Sequence, residues 1–294
     1  MQNQASYRAN AFYPDEPAVI EDDSVVRGRR IVLLGVSPLA YDPARAVVRL
    51  YSRMTIRIRM PGGNFEQTSQ DWGRFYSPFF DPVLARSVLN YYEAWDRVLE
   101  PPRQFRTGYL IIVGHDDFYA PMLPFVALKQ SEHYEVTMVR LSDFIADPAG
   151  MNPVDLKMSI LQEIIARYQA LDPAPSFLLL VGDSDTIPPW NGDERPGANA
   201  FNLGFPSTDM FYACMDGAPD YRPDISYGRF PVRSADEATY MVDKYLAYAA
   251  LTGNEPWLER IAFTATYDLD HYAEAEASHD YLIWNQTIPH HYSG

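Results

Sequence analysis

The sequence predicts an α/β fold with a mostly parallel sheet, preceded by a smaller antiparallel β region. Two observations support this prediction. In the second part of the chain, apolar strands alternate with helical segments, which is typical of a parallel sheet covered on both faces. The first part instead alternates apolar residues with arginine at a period of two. We expect a β-rich region (1–63), a connecting arm (64–104), an α/β subdomain (105–253) and the start of a second subdomain (254–294).

The amino-acid composition limits the size of the core and the kinds of partner that the protein can have. The chain has 294 residues, of which 47% are hydrophobic, so it can bury one large core or two ordinary ones. It carries 24 Lys and Arg against 39 Asp and Glu, a formal net charge of -15. This charge repels phosphate backbones and anionic lipid, so we expect neither a nucleic-acid nor a membrane partner. The basic run from Arg27 to Arg30 is too short to reverse that balance and is interpreted as a solvated strand entrance.

Cysteine usage and the termini narrow the possibilities further. A single cysteine, Cys214, excludes an internal disulfide framework and a CxxC metal site. The first residues show no basic segment followed by an apolar one, so no signal peptide is visible. Nor does the chain contain an apolar run of about 18 or more residues that could span a membrane.

The β-rich region begins with the strand RIVLLGV, followed by a turn at Tyr41 to Ala44. The next stretch, AVVRLYSRMTIRIRM, interleaves apolar residues with arginines up to Met60, which predicts a strand with one face in water or against an acidic partner. We therefore expect Gly28 to Met60 to form an antiparallel β unit. The following arm is predicted as coil with one helix that begins at Asp81 and Pro82.

Three segments of the α/β subdomain are predicted strands: Tyr109 to Val113 and Phe177 to Val181, which are continuously apolar, and Tyr134 to Arg140. Two helices should separate them, one with an apolar face that includes Leu123, Val126 and Leu128, and one from Pro153 to about Ala170. Further along, the sequence predicts a strand ISYGRFPV, a helix with Ser234 as cap and Glu237 in the capping-box position, and a strand in WLERIAFTATYD, Trp257 to Asp268.

Acidic residues mark two candidate sites. Asp183 and Asp185 follow the central strand, and ligands of parallel sheets gather at the carboxyl ends of the strands. Asp216, Asp220 and Asp224 recur every four residues in a Gly- and Pro-containing loop. Such a loop suits a hard cation with several oxygen ligands, such as calcium, and the alternative is a solvated acidic loop without a metal.

A series of short motifs follows the central strand. This strand ends in Val181-Gly182-Asp183 and is followed by Ile-Pro, by a Thr-Asp-x-x-Tyr segment (Thr208, Asp209, Tyr212), by an Asp-Gly loop ending in Pro-Asp-Ile, and by Gly228-Arg229-Phe230. The order of these motifs resembles the gingipain-type cysteine peptidase family. The resemblance implies a caspase-like three-layer α/β sandwich, and the front of the chain resembles the family's pro-region.

The resemblance also implies a catalytic Cys-His dyad, whose histidine lies in a Gly-His-Gly and whose cysteine follows the next strand. Neither place is reached within these 294 residues, so we expect no catalytic residue in this chain. His290 and His291 follow a proline and are interpreted as loop residues, His115 as a strand-edge histidine, and Cys214 as a small semi-buried thiol.

Further expectations come from the resemblance alone. It implies protein or peptide substrates, a secreted or cell-surface location and no cofactor for the chemistry, and it allows a structural calcium. Specificity in the family depends partly on an acidic residue after the strand that IAFTATYD matches, and Glu274 and Glu276 are the candidates here.

Two other function classes remain open at this point. One is a binding or sorting component whose peptidase-like domain is non-catalytic. The other is a carbohydrate-active enzyme in which Asp183 and Asp185 act as acid and base, which requires two carboxylates about 5 to 10 Å apart across a cleft.

Overall fold

The computed structural model describes residues 10–59, 61–98, 106–191, 207–217, 220–264 and 270–292. The chain divides into two compact units, Met1–Thr239 and Tyr240–Gly294. The first contains the parallel sheet and the antiparallel β region that precedes it. Both parts of the predicted fold class are therefore confirmed, whereas the boundaries at residues 63, 104 and 253 stay a prediction.

The N-terminal β region consists of two antiparallel pairs. Strands β1 (Ala18–Val26) and β2 (Arg29–Val36) form a hairpin, and β3 (Leu39–Asp42) pairs with β4 (Val47–Leu50). The predicted strand up to Met60 is wrong, because residues 51–59 are not a strand and Met60 lies outside the described residues. Within the described part of the chain, β4 has only the four-residue β3 beside it, so the alternating residues after it have no ladder to join.

The segment predicted as coil with one helix contains three helices, which corrects the sequence interpretation. They are α1 (Phe65–Phe75), α2 (Asp81–Ser87) and α3 (Tyr91–Val98). Asn64 caps α1, since its side chain accepts a hydrogen bond from the Gln67 backbone N–H at 3.2 Å. The asparagine of PGGN is the sequence signal for this cap, although the same four residues also predict the end of a strand.

These helices pack against the β1–β2 hairpin. Arg29 and Asp81 form a buried ion pair at 2.7 Å, and Val26, Leu84 and Tyr91 form a small apolar core. The interpretation of Arg27 to Arg30 as a solvated strand entrance is consequently wrong for two of its arginines. Arg27 is fully buried and Arg29 is 7% exposed, because carbonyls from distant parts of the chain accept from the Arg27 guanidinium and Asp81 pairs with that of Arg29.

The central sheet has four parallel strands. They are β5 (Thr107–Val113), β6 (Tyr134–Arg140), β7 (Pro175–Val181) and β10 (Ser226–Phe230), in the spatial order β10-β7-β5-β6. Between β7 and β10 the chain forms a short antiparallel pair, β8 (Trp190–Asn191) and β9 (Ser207–Thr208). The predicted strands and their parallel pairing are confirmed.

Helices cover both faces of this sheet, as predicted. On one face, α5 (Pro153–Ala170) contributes Ile160 and Ile164 to the core formed with Leu110 and Leu178. On the other, α4 (Tyr119–Ser131) places the ring of Phe125 5.9 Å from that of Tyr109 on β5.

The predicted apolar face of α4 needs correction. Its buried residues are Met122, Phe125 and Lys129, whereas Leu123 is 49% exposed. Lys129 is accommodated because its ammonium donates to Glu132 at 2.8 Å and lies 5.6 Å from the centre of the Phe125 ring.

Helix α6 (Ala235–Ala249) begins as predicted, since the Ser234 hydroxyl accepts from the Glu237 N–H at 3.2 Å. In the second unit, α7 spans Tyr272–Leu282. The strand predicted from Trp257 is wrong for its described part, because Pro256–Glu259 is a 3-10 helix and residues 261–264 are not a strand. Residues 265–268 lie outside the described part. None of the helices in the described ranges is long and apolar enough to cross a membrane.

Candidate functional site

The carboxyl ends of three parallel strands are hydrogen-bonded to one another. The Gly114 N–H after β5 donates to the carbonyl of Val181 at 2.7 Å, and the Gly182 N–H donates to that of Phe230 at 2.9 Å. The Asp183 N–H then donates to the carbonyl of Val232 at 3.0 Å. The residues after β5, β7 and β10 therefore form one continuous edge, and this edge is the predicted location of a cleft.

Gly182 lets the chain turn sharply at this edge. Its φ angle is +145°, a backbone conformation that L-residues with a side chain rarely adopt. A Cβ atom at this position would lie 2.2 Å from the Thr186 hydroxyl oxygen. The glycine of the Val-Gly-Asp motif thus serves the backbone geometry of the turn.

Asp183 is paired with a cation. Its carboxylate accepts from the Arg233 guanidinium at 2.6 Å and from the Ser184 N–H at 2.7 Å. The Ser184 hydrogen bond and then Arg233 hold the pKa of Asp183 below its usual value. A glycosidase general acid needs a raised pKa, so the pairing disfavours Asp183 as an acid. Asp185 is exposed.

Three motif residues hold the loop after β7 in place. Arg229 and Asp209 form a bidentate pair, with N–O distances of 2.8 and 2.7 Å. The same guanidinium donates to the carbonyls of Gly182 at 2.7 Å and Ile187 at 2.9 Å. The buried Tyr212 hydroxyl donates to the carbonyl of Pro188 at 2.6 Å. The sequence shows each of these motifs. Only the tertiary structure shows that their residues contact the same loop.

The cysteine and the edge histidine do not form a dyad geometry. Cys214 is 2% exposed in the main core, and its thiol donates to the Met210 carbonyl at 3.5 Å. His115 follows β5, and its Nδ1 accepts from the Asp117 N–H at 3.2 Å. His290 and His291 are exposed in a turn.

The carboxylates of Asp216, Asp220 and Asp224 come within 4.8 Å of one another. This all-oxygen set fits a hard cation such as calcium, and carboxylate oxygens can accept a hydrogen bond and bind a metal together. Asp220 accepts backbone N–H groups of Asp216 and Arg222, at 3.2 and 2.9 Å. Burial raises the pKa of Asp224 to about 7, and burial with the Asp220 charge raises the pKa of Asp216 to about 6.

This acidic cluster does not lie at the carboxyl edge of the sheet. Asp224 precedes β10, whose first residue, Ser226, is in register with Phe177 near the start of β7. The cluster therefore lies at the amino-terminal edge of the sheet. The four-residue spacing in the sequence indicated that these three aspartates lie close together, but it could not show at which edge of the sheet they lie.

Glu274 and Glu276 are exposed on α7. Because the two residues are two positions apart on a helix, they point to different sides of it, so at most one of them faces any given ligand. Glu274 lies 3.9 Å from the imidazole of His271.

Comparisons with known proteins match nearly the whole length of the chain. The model of the C25 propeptide matches residues 1–98, and that of peptidase family C25 matches residues 103–293. Among curated proteins of Porphyromonas gingivalis, Lys-gingipain W83 is 25% identical over 273 residues, which are 90% of this chain and 14% of that protein. Gingipain R1 is 23% identical over 292 residues, 98% of this chain and 27% of that protein.

Two solved structures match the chain in part. A crystal structure of the Arg-specific cysteine proteinase gingipain R is 18% identical and covers 66% of this chain and 42% of that one, with a TM-score of 0.45. The complex of Porphyromonas gingivalis RgpB pro- and mature domains is 19% identical and covers 63% and 40%, with a TM-score of 0.46. This chain spans 14% to 37% of the length of the curated gingipains it matches. The family models nevertheless account for nearly every residue, and the chain belongs to peptidase family C25.

Proposed function

We propose that this chain is the propeptide and the first part of the catalytic domain of a cysteine endopeptidase. The observation that carries the proposal is the order of the two family matches, propeptide at 1–98 and peptidase at 103–293. The motif residues Asp209, Tyr212 and Arg229 support it, since they fix the loop at the carboxyl edge of the sheet. The substrates are proteins or peptides.

In the proposed chemistry, a thiolate attacks the peptide carbonyl, a histidine takes and returns the proton, and backbone N–H groups stabilise the oxyanion. Thiolate and base must lie within about 2.6 to 3.2 Å of each other when they react. Cys214 is buried in the core, so it is not assigned as the nucleophile, and the proposed dyad belongs to the part of the catalytic domain that this chain does not include. The residues of this chain position the strand edge and supply the propeptide.

The proposal predicts that the 294-residue chain hydrolyses no peptide substrate. A longer chain that continues through the next Gly-His-Gly and the following cysteine should gain thiol-dependent activity once the propeptide is removed. Hydrolysis of a peptide library, measured before and after alkylation, tests both statements. The matched control is Cys214→Ala in the longer chain, which should retain the activity and its sensitivity to alkylation.

Two outcomes would contradict this proposal. Activity of the 294-residue chain that is lost on modification of Cys214 would identify Cys214 as the nucleophile. A correctly folded longer chain that lacks a Cys-His pair and cleaves nothing would favour the non-catalytic binding or sorting component instead.

We also propose a secreted or cell-surface location, no nucleic-acid or membrane partner, and a structural calcium bound by Asp216, Asp220 and Asp224. The net charge of -15 supports the expected lack of nucleic-acid and lipid partners. The oxygen ligands within 4.8 Å support calcium. A cation at the amino-terminal edge would hold the loop before β10 and would take no part in the chemistry.

Calcium at about 100 times its dissociation constant should raise the thermal unfolding midpoint of the chain by about 5 °C relative to EDTA, because a ligand of the native state stabilises it by about 2.7 kcal/mol at that excess. Asp220→Asn should abolish the shift, while its amide oxygen can still accept one of the two backbone N–H groups that the Asp220 carboxylate accepts. Asp185→Asn, which changes an exposed aspartate elsewhere, is the control and should keep the shift. Equal midpoints with calcium and with EDTA would contradict the proposal.

A further inference from the structure

Arg27 occupies the tip of the β1–β2 hairpin in an unusual conformation. Its φ angle is +49° and the next residue, Gly28, has φ +70°, the combination of a type I′ turn. Positive φ is unfavourable for a residue with a long side chain. The side chain nevertheless points inward and is fully buried. The turn therefore presents one guanidinium group to the body of the protein.

The guanidinium donates to four oxygen atoms. Its Nε donates to the Phe75 carbonyl at 2.8 Å, and its Nη1 to the carbonyls of Pro175 at 2.9 Å and Asp224 at 2.7 Å. Its Nη2 lies 3.4 Å from the Ser176 hydroxyl oxygen. The backbone N–H of Arg27 also donates to the Asp224 carboxylate.

Aromatic rings complete the surroundings of this cation. The guanidinium carbon lies 5.2 Å from the centre of the Phe80 ring and 5.8 Å from that of Tyr168. A planar cation with donors that point in several directions suits such a cage of oxygens and ring faces. A lysine ammonium is a compact point charge. It therefore cannot donate to all of these separated acceptors at once, as the planar guanidinium does.

The cage belongs to two parts of the chain. Arg27, Phe75 and Phe80 come from the part that matches the propeptide model (residues 1–98). The other contributors, which are Tyr168, Pro175, Ser176 and Asp224, come from the part that matches the peptidase model (residues 103–293). Pro175 and Ser176 begin β7, so the cage lies at the opposite edge of the sheet from Asp183.

We propose that Tyr168, Pro175, Ser176 and Asp224 form a guanidinium-binding site, which Arg27 fills from the same chain and which holds residues 1–98 in place after the backbone is cut between the two parts. The chemical class of its ligands is the monosubstituted guanidine, as in an arginine side chain. The proposal rests on these contacts and does not require peptidase activity.

Two other contacts between the two parts are an exposed ion pair and an apolar ring contact. The ion pair of Arg222 and Asp22 has both side chains more than 40% exposed, and exposed ion pairs contribute little. The rings of Phe79 and Phe177, 4.8 Å apart, add an apolar contact without a specific donor. Among the described residues that join the two parts, Arg27 is the fully buried cation.

The test uses the full chain with the recognition sequence of a site-specific protease inserted between Pro102 and Arg103. The protein is folded, cut there, and analysed over a dilution series by size-exclusion chromatography. The two pieces of the wild-type chain should remain together. Arg27→Lys should raise their dissociation constant by at least about 10-fold, because lysine keeps the charge and loses the fork of donors. Arg30→Lys, in the same hairpin and exposed, should leave the dissociation constant unchanged.

Competition by small ligands tests the site itself. Incubation of the cut wild-type protein with millimolar L-argininamide should release residues 1–98, and the same concentration of L-lysinamide, of the same charge, should not. If Arg27→Lys does not fold, as judged by circular dichroism before cutting, the comparison of L-argininamide with L-lysinamide still tests the proposal, because it uses only the wild-type protein.

Three results would overturn the proposal. The wild-type pieces separate at once after the cut, or Arg27→Lys holds them as tightly as wild type, or argininamide at equilibrium releases no more than lysinamide does.

Discussion

Replacing Arg27 by methionine is expected to lower the free energy of unfolding of the chain by about 3–5 kcal/mol. The methionine fills much of the space but donates no hydrogen bond, so the buried carbonyls of Phe75, Pro175 and Asp224 lose their partner. Each buried acceptor left without a donor costs about 1–3 kcal/mol. Urea unfolding, followed by circular dichroism and tryptophan fluorescence, measures the change.

The control for this prediction is Arg30→Met in the same hairpin. Arg30 is exposed and pairs with the exposed Asp23, so its replacement should leave the urea midpoint unchanged. An Arg27→Met variant that unfolds at the wild-type midpoint would show that burial of the guanidinium contributes nothing to stability.

The second large effect is expected for Asp209→Ala, which should destabilise the chain by about 2–3 kcal/mol. Arg229 and Asp209 are 14% and 17% exposed, so removal of the carboxylate leaves a mostly buried guanidinium with only the carbonyls of Gly182 and Ile187. The loop after β7 should then open more often. Urea unfolding measures the stability, and hydrogen exchange at the Ile187 amide measures the local opening.

The matched control is Asp23→Ala, which removes the carboxylate from an exposed arginine–aspartate pair. It should change neither the midpoint nor the exchange at Ile187. If both alanine variants behave alike, the Arg229–Asp209 pair does not hold the loop, and the motif residues need another explanation.

The sequence alone determined the architecture of the α/β part. Continuous apolar runs at Tyr109 to Val113 and Phe177 to Val181 indicate strands that are buried on both faces, and the helical segments between the strands indicate a parallel sheet covered on both sides. The order of the motifs was likewise sufficient to identify the family. These features are local in sequence, so a pattern of a few residues is enough to predict them.

Periodicity was less reliable for deciding which face of an element is covered. The apolar residues of α4 predicted a face through Leu123, but Met122 and Phe125 are the buried ones. Similarly, the alternation after Leu50 predicted a strand, but residues 51–59 are not a strand. In the described part of the chain, they have no neighbouring strand with which to pair. A period identifies the sides of a helix or strand, whereas its neighbours in space decide which side is buried and whether a ladder forms.

Only the tertiary structure decided the state of the charged residues. Arg27 is separated by 148 and 197 positions from Pro175 and Asp224, whose carbonyls accept its hydrogen bonds. Asp183 is likewise 50 positions from the arginine that pairs with it. A charged side chain is buried only where donors and acceptors compensate its loss of water, and these partners come together only when the sheet has formed.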